Sequence, residues 1–236
     1  MRFLIPLTIL LALAGCSALE QPPGVSTATE EDVVGGTEGP LPEKSQLHGV
    51  PHNPRKQKGA DCAPDSLRMV LTYRGKSIAN DQVIPRLLDA IGASRGRGGG
   101  TTFTQMQQIA VEHYGLPAFI VSNCDLDSLK AAIANKWPPI VSYRVGMRSH
   151  HAVVAVGYND KRRTMSVHDP NYLSVTKIRY DALGGVSRDS TQKLTCLLVL
   201  SEGATEEALR RGLEKYAPKG VVRELRIYSR FPKGSG

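Results

Sequence analysis

Gln57-Lys58-Gly59-Ala60-Asp61-Cys62-Ala63-Pro64-Asp65-Ser66-Leu67-Arg68-Met69-Val70-Leu71-Thr72-Tyr73-Arg74-Gly75 sets the frame for the rest of the chain. A polar loop gives way at Cys62 to an apolar pattern. Pro64 suits the first turn of a helix, and Gly75 suits its C-terminal stop. Leu67, Val70 and Leu71 share one face, so this helix is expected to run through the core. Cys62 then opens the helix, where unpaired backbone N–H groups and the positive dipole end favour a thiolate. An ordinary thiol titrates near ~8.5, and such surroundings can lower that by several units.

Working outward, a second helical stretch spans about 81–91. Thr102 or Thr104 can cap a helix that continues to Tyr114, with Gln105 or Gln107 three residues on. Leu116 to Val121 reads as a strand. Asp125 or Asp127 caps a helix running to about Lys136, and Pro138-Pro139 lead into a strand over 140–144. His151-Ala152-Val153-Val154-Ala155-Val156-Gly157-Tyr158 is an apolar strand, followed by a turn at 159–162 and an antiparallel partner over 164–169. Strands over 175–180 and 194–200 complete a sheet. A helix over 205–216 and a strand-like basic piece over 221–228 close the chain. Helices come first and a meander of strands later, so the expected class is α+β, with N-terminal helices packed on an antiparallel sheet.

The hairpin brings a second chemical group towards the thiol. With the turn centred on Asp160, His151 faces Asp169, and side chains so paired meet at about 5 Å between Cβ atoms. Asp169 can accept from one ring nitrogen of His151, leaving the other for Cys62. His150 is the rival base; it points to the opposite face of the strand. His168, beside Asp169, is expected at the surface. Gln57 lies five residues before Cys62 and can donate its amide to an oxyanion, together with the Cys62 backbone N–H. The histidines and the remaining cysteines show no zinc-type spacing, so neither a metal nor a cofactor is expected. Ser94-Arg95-Gly96-Arg97-Gly98-Gly99-Gly100 lacks the Gly-Lys-Ser/Thr ending of a phosphate loop and follows no strand. It reads as a flexible loop near the site.

The start of the chain has a different character. Met1-Arg2 and the short apolar run Phe3 to Ala14 form a signal-type segment, too short for a mature membrane span. Leu13-Ala14-Gly15-Cys16 resembles the bacterial lipoprotein signal box, which implies that Cys16 is lipidated and becomes the mature N-terminus. The expected organisation is a signal peptide over 1–15, a lipidated disordered tether over 16–46, a folded domain over 47–201 and a C-terminal extension over 202–236. Residues 17–46 are rich in Pro, Gly, Ser, Thr and Glu, and carry six acidic residues against one basic. From residue 47 onward, 28 Lys and Arg face 16 Asp and Glu. That charge suits anionic surfaces or acidic peptides. An exported, anchored chain without an aromatic-basic stripe is not expected to bind nucleic acid. Export implies an oxidising compartment in which Cys124 and Cys196 either pair or remain two buried free thiols. Ser17 after Cys16 favours the outer membrane over the inner. No pattern in the chain sets an oligomeric state.

Gln57, Asp61-Cys62-Ala63-Pro64, Tyr73-Arg74-Gly75, the helix from Thr101 to Tyr114, Gly115-Leu116, Pro138 to Val141, His151 to Tyr158, and Asp169-Pro170 occur in one order. This set resembles the bacteriocin-processing (double-glycine leader) cysteine peptidase family and its free-standing relatives, over about residues 47–200. The resemblance implies a papain-like fold, a triad of Cys62, His151 and Asp169, and Gln57 as oxyanion donor. It also selects His151 over His150. Two departures stand out: Ala63 replaces the usual Gly, and the Gln57–Cys62 gap is a residue short. The chain carries no transporter or ATPase block. The expected activity is cleavage of a peptide or protein through a thioester, with Gly-Gly as a candidate cleavage point. Attack by an amine instead of water would make it a transpeptidase or amidase. A groove that only holds an exported peptide is the non-catalytic alternative. Gly35-Gly36 in the tether is a candidate self-cleavage point.

Overall fold

The computed structural model describes residues 39–52, 62–80, 82–92, 100–145, 150–183, 194–216 and 221–232. Cys16, Gln57, the Gly35-Gly36 pair and most of the Gly-rich loop lie outside the described residues. In chain order the elements are β1 (Lys44–Gln46), α1 (Cys62–Tyr73), α2 (Val83–Ala90), α3 (Phe103–Glu112), β2 (Ala118–Cys124), α4 (Leu126–Ala134), β3 (Ile140–Arg144) and β4 (His150–Asn159). They continue with β5 (Thr164–His168), β6 (Thr176–Arg179), α5 (Tyr180–Leu183), β7 (Leu194–Val199), α6 (Glu206–Glu214), α7 (Val221–Glu224) and β8 (Arg226–Arg230). The class is α+β, as the helix-then-strand order implies. The sheet runs β6-β5-β4-β3-β7-β2-β8, with β1 also paired to β4. Every one of these pairings is antiparallel.

Local chemistry explains the element ends. Gly75 adopts φ 77°, a left-handed conformation that glycine takes without steric cost, and Lys76 N–H returns to Leu71 C=O at 3.0 Å. Of the two candidate caps for α3, Thr102 serves: its hydroxyl accepts from Gln105 N–H while Gln105 Oε1 accepts from Thr102 N–H. Asp125 likewise caps α4 through Ser128 N–H at 2.8 Å.

Residues 151–158 of β4 are buried without interruption, so both faces of the strand must be covered. Helices α1 and α4 both pack on it. Leu67, Met69, Val70 and Leu71 of α1 are fully buried, which fixes the helix against the sheet. Ser66 Oγ donates to Ala152 C=O at 3.1 Å and pins the first turns of α1 to the start of β4. At the far end of β4, Lys130 of α4 pairs with Asp160 at 2.8 Å and Asp127 at 3.2 Å. The first pair ties the β4–β5 turn to α4, and the second lies within the helix.

Three features depart from the sequence reading. Lys44–Gln46, placed in the tether by composition, forms β1, with Lys44 opposite Asn159 and Gln46 opposite Gly157. Val221–Glu224 is a helical turn, and the last strand is confined to Arg226–Arg230, where it pairs with β2. His168 is buried, not at the surface. Of the two alternatives for Cys124 and Cys196, the structure has the buried free thiols, with their sulfurs 3.8 Å apart. The Cys196 thiol is held well above the ordinary range by its hydrogen bond with Cys124 and by burial. Among the described residues no helix is long and apolar enough to cross a membrane.

Candidate active site

Cys62 is the first residue of α1, half-buried at the point where the helix meets β4. Its sulfur interacts with the His151 side chain and with the backbone N–H groups of Ala152 and Ala63. Burial opposes the thiolate, but these hydrogen bonds and the charge of His151 outweigh it, so the thiol lies below its ordinary range. The Ala63 donor is a free N–H of the first helical turn, a group no intrahelical carbonyl satisfies.

His151 is buried while His150 is exposed, in keeping with strand alternation. The His151 Nε2–H donates to Asp169 Oδ1 at 2.7 Å, leaving Nδ1 for the sulfur. Burial pushes the imidazole down, but the hydrogen bonds and charges of Asp169 and Cys62 carry it up to about 9. Both shifts favour a thiolate–imidazolium pair across the α1–β4 junction. Tyr143 lies directly opposite His151 in the β3–β4 ladder, and its ring meets the imidazole edge-on at 5.7 Å. Burial, assisted by Asp169, Tyr172 and Cys62, pushes its phenol up to about 12, so it stays neutral.

Asp169 is fully buried, one residue beyond the end of β5. Its Oδ1 also accepts from Asn171 N–H at 2.8 Å, and Tyr172 N–H closes the turn onto its C=O at 3.1 Å. Oδ2 has no hydrogen-bond partner among the described residues. Here the hairpin arithmetic needs correction. The turn holds four residues, 160–163, which pairs Asn159 with Thr164, and a register shift between Ala155 and Gly157 then pairs Ala155 with Val167 and Val154 with His168. Continuing that register places Asn171, not Asp169, opposite His151. Asp169 instead reaches diagonally from the turn.

Sequence reasoning missed Asn171. Its side-chain amide lies 3.3 Å from His151 Nε2. The register would have found it only with both the four-residue turn and the shift between Ala155 and Gly157 recognised. Among the described residues no group of His, Cys, Asp and Glu could hold a metal ion.

A sequence model of the Peptidase_C39 like family matches residues 42–188, more than half of the chain. The chain belongs to this family. It is thus a cysteine peptidase, a hydrolase, as the ordered motifs implied. Among solved structures, the peptidase is similar to xylellain, a cysteine protease from Xylella fastidiosa. The identity is 10%, the TM-score 0.43, and the match covers 75% of this chain and 91% of that one. Comparison with curated proteins finds no match.

Proposed function

We propose that this peptidase cleaves a peptide or protein substrate through Cys62, with His151 as proton carrier and Asp169 as the group that orients it. The observation that carries the reading is the continuous link from the Cys62 sulfur through His151 to Asp169, with the imidazole carried up to about 9. The Cys62 thiolate attacks the scissile carbonyl carbon, and the carbonyl π electrons move to oxygen. Gln57 and the Cys62 backbone N–H are the donors to that oxyanion. As the intermediate collapses, the C–N bond breaks and the leaving amine takes the proton from His151 Nδ1. A thioester remains. Water, giving a proton back to His151, attacks the thioester and releases the carboxylic product and the thiolate.

The lipobox-like Cys16 and the preceding apolar run support an enzyme anchored by lipid and facing the periplasm. Cleavage after Gly-Gly rests on the family resemblance. The first test is turnover of fluorogenic peptides ending in Gly-Gly by the full chain. Cys62→Ala is expected to abolish cleavage. Turnover surviving in that variant would remove Cys62 from the reaction and sink the proposal.

A further inference from the structure

Asp169 sits where the ladder no longer fixes it, because β5 ends at His168. Two histidines hold this point from outside the triad. His52 Nε2 lies 3.2 Å from Asp169 C=O, and His168 Nδ1 lies 3.3 Å from Pro51 C=O. Both partners are carbonyls, so both ring nitrogens must be N–H donors, which sets both tautomers. The two rings stack, with centroids 4.5 Å apart and planes 19° from parallel. Pro51-His52 and His168-Asp169 are thus joined by reciprocal bonds, each segment giving one side chain and one carbonyl. The His168 imidazole is held below its ordinary range by burial and by the neighbouring His52, which favours its neutral form.

The two segments matter to the reaction for different reasons. One carries the carboxylate behind His151. The other runs beside β4, where Leu47 N–H bonds Val156 C=O at 2.6 Å, and continues towards Cys62 ten residues later. We propose that His52 and His168 are positioning residues whose reciprocal hydrogen bonds hold the Asp169 backbone, and so the carboxylate, in line with His151 Nε2. The proposal rests on the triad reading above. It adds a support that acts through Asp169 and touches neither substrate nor sulfur. A backbone carbonyl held at a fixed point also fixes Cα, and with it the direction of a side chain one bond away.

The test is the pH dependence of iodoacetamide alkylation at Cys62 in the full chain, read by peptide mass. Cys124 and Cys196 are buried, so they react slowly in the folded protein. His52→Phe keeps a ring for the stack but removes the donor to Asp169. His168→Phe removes the donor to Pro51, and either variant suffices if the other does not fold. The expected result is an upward shift of the alkylation midpoint, with the rate at pH 6 reduced about tenfold. His52→Gln, which can still donate, is expected to restore most of it. In an Asp169→Ala background, His52→Phe is expected to add nothing, because its effect passes through that residue. A folded His52→Phe or His168→Phe protein with an unmoved midpoint overturns the proposal. So does a His52→Phe shift that persists undiminished without Asp169. A wild-type thiol titrating near the ordinary ~8.5 overturns the triad reading itself, and the clasp with it.

Discussion

His151 spends Nε2 on Asp169, and that commitment decides what the ring can do for Cys62. With its pKa carried up to about 9, the imidazole remains protonated through neutrality, while the Cys62 thiol lies below its ordinary range. Cleavage needs both the thiolate and the imidazolium proton. Activity is therefore expected to rise as pH climbs through the lowered Cys62 value and to fall as pH passes about 9, where His151 loses its proton. A pH profile of kcat/KM that rises monotonically through pH 9 would contradict this. Asp169→Asn keeps the shape but can present an amide donor to the ring, which favours the wrong tautomer. Its kcat is expected to fall by on the order of 10²–10⁴, measured against the same peptide at one pH. Cys62, His151 and Asp169 stood out in the sequence as candidates through their order and spacing behind a helix-start thiol, whereas an apolar-strand histidine or an Asp-Pro turn alone signals only core or turn. Asn171 did not stand out, because its place depends on the length of the β4–β5 turn and on the register shift between Ala155 and Gly157.

At the scale of elements, β4 organises the site, and one glycine lets it do so. Between Ala155 and Gly157 the β4–β5 register shifts, and at the same point β1 crosses the other edge of β4. A Cβ on Gly157 would lie 2.7 Å from Ser45 C=O and closer still to the Gln46 side chain. Gly157→Ala is therefore expected to push β1 away and to destabilise the fold by roughly 1–3 kcal/mol, as overpacked cores do. Urea denaturation measures this directly, and an unchanged midpoint would show that β1 is dispensable. Removing the α3 capping box with Thr102→Ala should cost about 1 kcal/mol in the same assay, with little effect on the triad. The strand reading of His151–Tyr158 required only alternation and apolarity. Lys44–Gln46 escaped notice because three polar residues carry no periodic signal. They are a strand only because β4 offers them an edge.

For the whole molecule, the C-terminal extension belongs to the fold although the family match ends at residue 188. Strand β8 covers the outer edge of β2, and Leu209, Leu213, Val222 and Leu225 are buried. Trp137 meets Gly212 of α6 with the edge of its indole, where any Cβ would strike the ring, and Asn135 Nδ2 donates to Gly212 C=O at 2.7 Å. Each such buried apolar side chain contributes about 1.5–3 kcal/mol, so together they rival the ~5–15 kcal/mol net stability of an ordinary domain. A chain ending at residue 201 is thus expected to lose its cooperative thermal transition or to aggregate through the bared β2 edge. Circular dichroism melting of the truncated protein checks this, and an unaltered melting temperature would mark the extension as an ornament. The amino-acid sequence by itself determined the class, most of the element order and the candidate nucleophile, because helix ends, strand alternation and a thiol at a helix start are short-range properties. Only the tertiary structure decided how α1 meets β4, which register carries Asp169 diagonally to His151, and why His52 and His168 lie together. Those contacts join residues more than eighty positions apart or hang on a one-residue offset, and no local pattern encodes either.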